Sequence, residues 1–122
     1  MHELSICQGI IDVAGAALGD RASRLPRVST VTVRIGRLTG VVSDSLRYYF
    51  DLLSPDTPLA GATLVIDEVP IRGRCGDCVA EFEIDTLAFT CVVCGSGDVE
   101  LLSGRELQVV CLETAEEVVC GS

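Results

Sequence analysis

Two CxxC pairs constrain this 122-residue chain more than any other feature. CGDC supplies Cys75 and Cys78, and CVVC supplies Cys91 and Cys94, in the pattern C-x2-C-x12-C-x2-C. Two intervening residues let both thiolates of a pair point at one ion while the backbone amides between them face the sulfurs. Gly76 and Gly95 suit the tight turns that such knuckles require. Two knuckles close a tetrahedral S4 shell, which fits Zn2+. Four thiolates leave no open coordination position, so the expected role is structural. An iron site of the rubredoxin kind, or a disulfide-based redox pair, would use the same residues. Between Ile71 and Gly104 the main large apolar side chains are Phe82, Ile84, Leu87, Phe89 and Leu101. So small an apolar set predicts a unit that needs its metal to fold.

The flanking sequence has a different pattern. From Leu4 to Leu18, the residues Leu4, Cys7, Ile11, Ala14 and Leu18 recur at steps of three and four, which predicts a helix. Ile6, Ile10, Val13 and Ala17 widen the stripe, so this helix is expected to be largely buried. Gly19 is the expected stop, followed by a loop from Asp20 to Arg27 with Pro26. VSTVTVRIG then alternates Val31, Val33 and Ile35 with polar residues, a half-buried strand. SDSLRYYFDLL predicts a second helix, with Ser43 as its cap and Leu46, Tyr49, Phe50 and Leu53 as its apolar face. Pro55 and Pro58 end it. ATLVIDEVP reads as a second strand. RELQVVCLE reads as a third, with Leu107, Val109 and Cys111 on one face.

The expected fold is therefore α+β: two helices packed on a three-stranded sheet, with an inserted zinc-ribbon domain. Residues 1–70 and 105–115 form the discontinuous α/β domain, residues 71–104 the insertion, and residues 116–122 a flexible acidic tail. Exposed edge strands would allow copies of the chain to pair, so a homo-oligomer is open.

Charge excludes some functions. The chain carries 18 Asp and Glu against 9 basic residues, whereas a nucleic-acid surface needs clustered positive charge. Asp77, Glu81, Glu83, Asp85, Asp98 and Glu100 make the ribbon acidic, which argues against a zinc-ribbon nucleic-acid-binding module. The first residues lack a basic segment followed by an apolar stretch, and no run approaches the ~18 apolar residues of a membrane span. The expectation is a cytoplasmic protein whose 7 cysteines stay reduced. Cys7 and Cys111 are then small core residues and Cys120 a thiol of the tail. A single histidine and the absence of a nucleophile–base constellation argue against an enzyme.

That histidine is His2, in MHELSICQGI. The amine of Met1, the amide nitrogen and imidazole of His2 and the amide of Glu3 can together form a plane of four nitrogens. Ni2+ and Cu2+ accept that geometry. The Glu3 carboxylate can add a ligand or steady the site. Taken alone this is a weak signal, since a histidine at position 2 is usually just a solvent-exposed side chain.

MHELSICQGI, VRIGRLTGVV, SLRYYF, the four-cysteine ribbon and GRELQV, in that order, resemble the HypA/HybF family of nickel metallochaperones. The resemblance runs from Met1 to about Glu113. It implies Ni2+ as transient cargo at Met1, His2 and Glu3, and structural Zn2+ at Cys75, Cys78, Cys91 and Cys94. It also implies a carrier that works with a HypB-type GTPase to supply the large subunit of [NiFe]-hydrogenase during maturation, and in some members urease. Val42 and Ser43 stand where the family often carries an acidic residue, and CVVC lacks the proline that often precedes the second cysteine.

Overall fold

The computed structural model describes residues 2–18, 28–85 and 89–120, apart from the His2 side chain. Met1, the expected stop at Gly19, the loop at 20–27 and Leu87 lie outside the described residues. Helix α1 is His2–Leu18 and helix α2 is Ser43–Leu53. The strands are β1 (Val28–Gly36), β2 (Thr63–Val69), β3 (Arg72–Cys75), β4 (Glu81–Glu83), β5 (Val99–Ser103), β6 (Leu107–Thr114) and β7 (Val118–Cys120). They form two sheets, in the orders β2-β1-β6-β7 and β4-β3-β5.

The chain divides into two units. The first takes residues 1–34, 41–67 and 108–122. Its core is set by α1 and α2, which pack on each other, and by the inward residues of β1. Cys7, Ile10, Ile11, Ala14 and Leu18 of α1 are buried, as are Leu46 and Phe50 of α2 and Val28, Val31 and Val33 of β1. The α1 stripe is narrower than its sequence predicts. Val13 is 56% exposed and Ala17 is exposed, so of the widening set only Ile10, with half-buried Ile6, turns inward. Arg34 Nε reaches Asp67 Oδ2 at 3.2 Å between the neighbouring strands β1 and β2. Both groups are well solvated, so this pair adds little to stability.

The expected three strands are present as β2, β1 and β6, and the structure adds a fourth. Residues 118–120, expected in a flexible tail, pair antiparallel with β6 as β7. Thr114 accepts the turn between them: its Oγ1 takes the N–H of Glu117 at 3.0 Å and that of Glu116 at 3.3 Å. The register sets Cys111 opposite Cys120, and the two form a disulfide. This corrects the expectation that every cysteine is reduced, and that Cys111 is a core residue. The phase of β6 is also reversed from the sequence reading. Leu112 is the buried residue, whereas Leu107 is 49% exposed and Cys111 is half-buried. In β6 the run from Val109 to Leu112 is apolar on both faces. Alternation therefore cannot fix which set turns inward, and the pairing decides it.

The second unit takes residues 35–40 and 68–107. β3 is its central strand, antiparallel to β4 on one side and β5 on the other. Ile71, Cys75, Phe82, Ile84 and Cys91 are buried together, with Leu38, Phe89, Val99 and Leu101 packed against them. Two of these five buried residues are cysteines of the CxxC pairs, so the candidate metal ligands are part of the core of this unit.

Two outcomes check this fold. Phe50→Ala removes a fully buried ring and is expected to lower stability by about 3–5 kcal/mol, whereas Tyr48→Ala, at a 63% exposed position, should change it little in a denaturant titration. Alkylating the unfolded, unreduced protein should label the five free cysteines and leave Cys111 and Cys120 unmodified until a reductant is added.

Candidate metal centre

The two knuckles are made by the same set of backbone hydrogen bonds. In the first, Cys75 Sγ accepts the N–H groups of Asp77 and Cys78 at 3.3 and 3.4 Å. In the second, Cys91 Sγ accepts those of Val93 and Cys94 at the same two distances, 3.3 and 3.4 Å. The next N–H turns back onto the first cysteine: Val79 donates to the Cys75 carbonyl at 3.1 Å and Gly95 to that of Cys91 at 2.9 Å. The cysteine N–H groups close the loops, Cys75 donating to the Ala80 carbonyl at 2.9 Å and Cys91 to that of Ser96 at 2.8 Å.

Side chains between the cysteines differ completely, Gly-Asp against Val-Val, yet the loops match. Their geometry is therefore set by the backbone and the sulfurs. Both require a left-handed residue after the second cysteine. Gly95 meets this with φ 76°, but the equivalent residue of the first knuckle is Val79, with φ 67°. A β-branched side chain in that region is strained. Gly76, expected to ease the turn, is not among the left-handed glycines; the Asp98 carboxylate lies where its Cβ would be.

The loops bring the sulfurs together. Cys75 Sγ lies 3.6 Å from Cys94 Sγ, Cys78 Sγ lies 3.5 Å from Cys91 Sγ, and all four fall within 4.8 Å of one another. A tetrahedral zinc with ordinary Zn–S bonds needs sulfurs about 3.8 Å apart, so the donor set and its dimensions fit that ion. Cys75 and Cys91 are buried while Cys78 and Cys94 face solvent. Among the described residues no other group of His, Cys, Asp and Glu converges in this way.

Thiol acidity follows the amide bonds. The amide of Cys94, with that of Val93, lowers the Cys91 thiol to about 6. Cys75 is lowered by the amide of Cys78 and, secondarily, that of Asp77. Although the Ser96 amide favours its thiolate, Cys94 is pushed up to about 12, because it shares hydrogen bonds with the neighbouring sulfurs of Cys75 and Cys91. Although the Ala80 amide favours its thiolate, Cys78 is raised as well, chiefly by the Cys91 sulfur, and a cation at the centre would favour thiolate at all four.

The other candidate residues are at the start of α1. His2 is its first residue, Met1 lies outside the described residues, and Glu3 Oε2 accepts the Val42 N–H at 3.5 Å. Val42 is the N-cap of α2, and no side chain of its own caps that helix. Sequence reading gave that place to Ser43. A glutamate normally satisfies an N-cap amide from within the same helix; here Glu3 does so from 39 residues away, which no local pattern reveals.

The family profile described as "Hydrogenase/urease nickel incorporation, metallochaperone, hypA" matches residues 1–114. The chain belongs to the HypA family. A hydrogenase maturation factor HypA from Desulfosudis oleivorans is 45% identical over 116 residues, covering 95% of this chain and all of that one (100%). The HypA of Chloroflexus aurantiacus is 44% identical over 115 residues, 93% of this chain and 99% of its own. The solution structure of the Ni metallochaperone HypA from Helicobacter pylori superposes with a TM-score of 0.63 at 21% identity, over 94% of this chain and 98% of that chain. At that identity the superposition speaks for the fold alone, and the fold is that of HypA. No helix among the described residues is long and apolar enough to cross a membrane.

The strain at Val79 gives a direct test. Val79→Gly should raise the unfolding free energy by about 1–2 kcal/mol by removing a left-handed valine. Gly95→Val should lower it by a similar amount, both read by thermal or denaturant unfolding of the zinc-loaded protein.

Proposed function

We propose that this protein is a nickel metallochaperone for [NiFe]-hydrogenase maturation, a carrier and not an enzyme. It holds Ni2+ at Met1, His2 and Glu3, and it is stabilised by Zn2+ on Cys75, Cys78, Cys91 and Cys94. What supports this most is the family match over residues 1–114, which takes in the MHE start and all four cysteines. Its partners are a HypB-type GTPase and the hydrogenase large subunit, and its place of work is the cytoplasm.

Chemistry makes the assignment coherent. The first N–H groups of a helix have no acceptor within it. The helical ladder does not need the amide nitrogens at the start of α1, which can be given up to a metal. With the amine and imidazole they form the nitrogen plane that Ni2+ accepts. The Glu3 carboxylate is engaged at Val42, so Glu3 contributes its amide nitrogen and uses its side chain to tie the metal-binding limb to α2. In the ribbon the four cysteines would hold zinc as a closed S4 shell, which supplies cross-linking of two loops and no open position for substrate.

The proposal is tested by elemental analysis. The parent protein is expected to carry one zinc throughout and to gain one nickel on loading. His2→Ala should lose the nickel and keep the zinc; equal nickel binding by that variant would refute the assignment. Cys91→Ala should lose zinc and lower the stability of the ribbon. Nickel affinity should fall as pH falls, since the amine, imidazole and amides must all release protons to bind.

A further inference from the structure

The two knuckles are joined by a set of contacts that involve no sulfur. Ser96 Oγ donates a hydrogen bond to Asp77 Oδ2 and accepts the N–H of Asp98 at 3.1 Å. Gly76 donates its N–H to the Asp98 carbonyl at 2.7 Å. The Asp98 side chain lies beside Gly76, where a Cβ would displace its carboxylate. Gly76 and Asp77 are the two residues inside the first knuckle. Ser96 is built into the second, because its carbonyl takes the Cys91 N–H. The contacts therefore run from the interior of one loop to the closing residue of the other.

We propose that Asp77, Ser96 and Asp98 form a metal-independent clamp that holds the second knuckle against the first and so positions the four thiols for the ion. The proposal rests on the zinc reading above and adds residues that cysteine spacing does not indicate. Without such a clamp, an incoming ion must itself bring together two loops separated by 12 residues of chain, at a cost in loop entropy. With it, that ordering is made by the fold before the ion arrives, which is preorganisation of a binding site. The bond from Ser96 ends on a carboxylate, and a charged acceptor strengthens it. Asp98 is tied to the first knuckle through its backbone, whose carbonyl takes the Gly76 N–H. These are positioning residues: none of them reaches the ion.

The test uses the full-length protein and the variants Asp77→Ala, Asp77→Asn and Ser96→Ala. Three readouts are taken: zinc release into excess chelator, the visible spectrum after cobalt substitution, and amide hydrogen exchange of residues 91–96 in the metal-free protein. Asp77→Ala and Ser96→Ala are expected to release zinc about tenfold faster or more. They should keep the cobalt–thiolate band positions of the parent and lose exchange protection at 91–96 without metal. Asp77→Asn retains an acceptor for Ser96 and should recover most of both. Unchanged zinc release, unchanged exchange in the metal-free protein, or a shifted cobalt spectrum would each overturn the clamp. Ser96→Ala, a smaller change, decides the matter if Asp77→Ala fails to fold. A parent protein that takes up neither zinc nor cobalt overturns the zinc reading instead, and the clamp then stands or falls on the exchange data.

Discussion

Four cysteine sulfurs within 4.8 Å of one another are the arrangement on which the second unit depends. Its buried cluster holds only Ile71, Phe82 and Ile84 besides two cysteines, and its strands β3 and β4 are four and three residues long. With the half-buried Leu38, Phe89, Val99 and Leu101 packed against it this is still a small core, so the packing and hydrogen bonds of the cysteines count. Sulfur that accepts two backbone amides in each knuckle is thus both core and ligand. Cys75 and Cys91, which each take two amides, are buried, while Cys78 and Cys94 remain at the surface.

The paired knuckles show how little the intervening side chains matter to this geometry. Gly-Asp and Val-Val produce hydrogen bonds of equal length to their first sulfur. What differs lies outside the sulfur cage. The first knuckle has a valine where the turn favours glycine, and it has the aspartate that reaches across to Ser96. The second has the glycine and presents two valines, Val92 and Val93, that are over 70% exposed. The loops are alike as ligand holders and unlike as surfaces.

The first unit is held by conventional means. α1 and α2 bury one stripe each, β1 supplies the alternating partner face, and Phe50 and Leu46 fill the space between. Its distinctive contacts are long-range. Glu3 closes the N-cap amide of α2, and the Cys111–Cys120 disulfide fastens the three-residue strand β7 to β6. A strand so short has few ladder bonds of its own, so the covalent link between opposed residues contributes to holding it in place. The nickel proposal at the start of α1 rests on membership of the HypA family, since neither a lone histidine nor a helix N-terminus carries function alone.

Periodicity and spacing made much of this chain legible. The β1 alternation, the Leu46 and Phe50 face of α2 and each CxxC pair follow from local pattern, because each depends on residues a few positions apart. The order of MHEL, the ribbon and GRELQV made the family legible as well. Tertiary structure decided the rest. The phase of β6 could not be read from a run apolar on both faces. The pairing of Cys111 with Cys120 depended on a register, and the capping of Val42 by Glu3 on two helices meeting. The reach of Asp77 to Ser96 depended on two loops closing around a common centre. In each case the physical reason is the same: the partner is brought near by folding, and chain separation carries no signal of it.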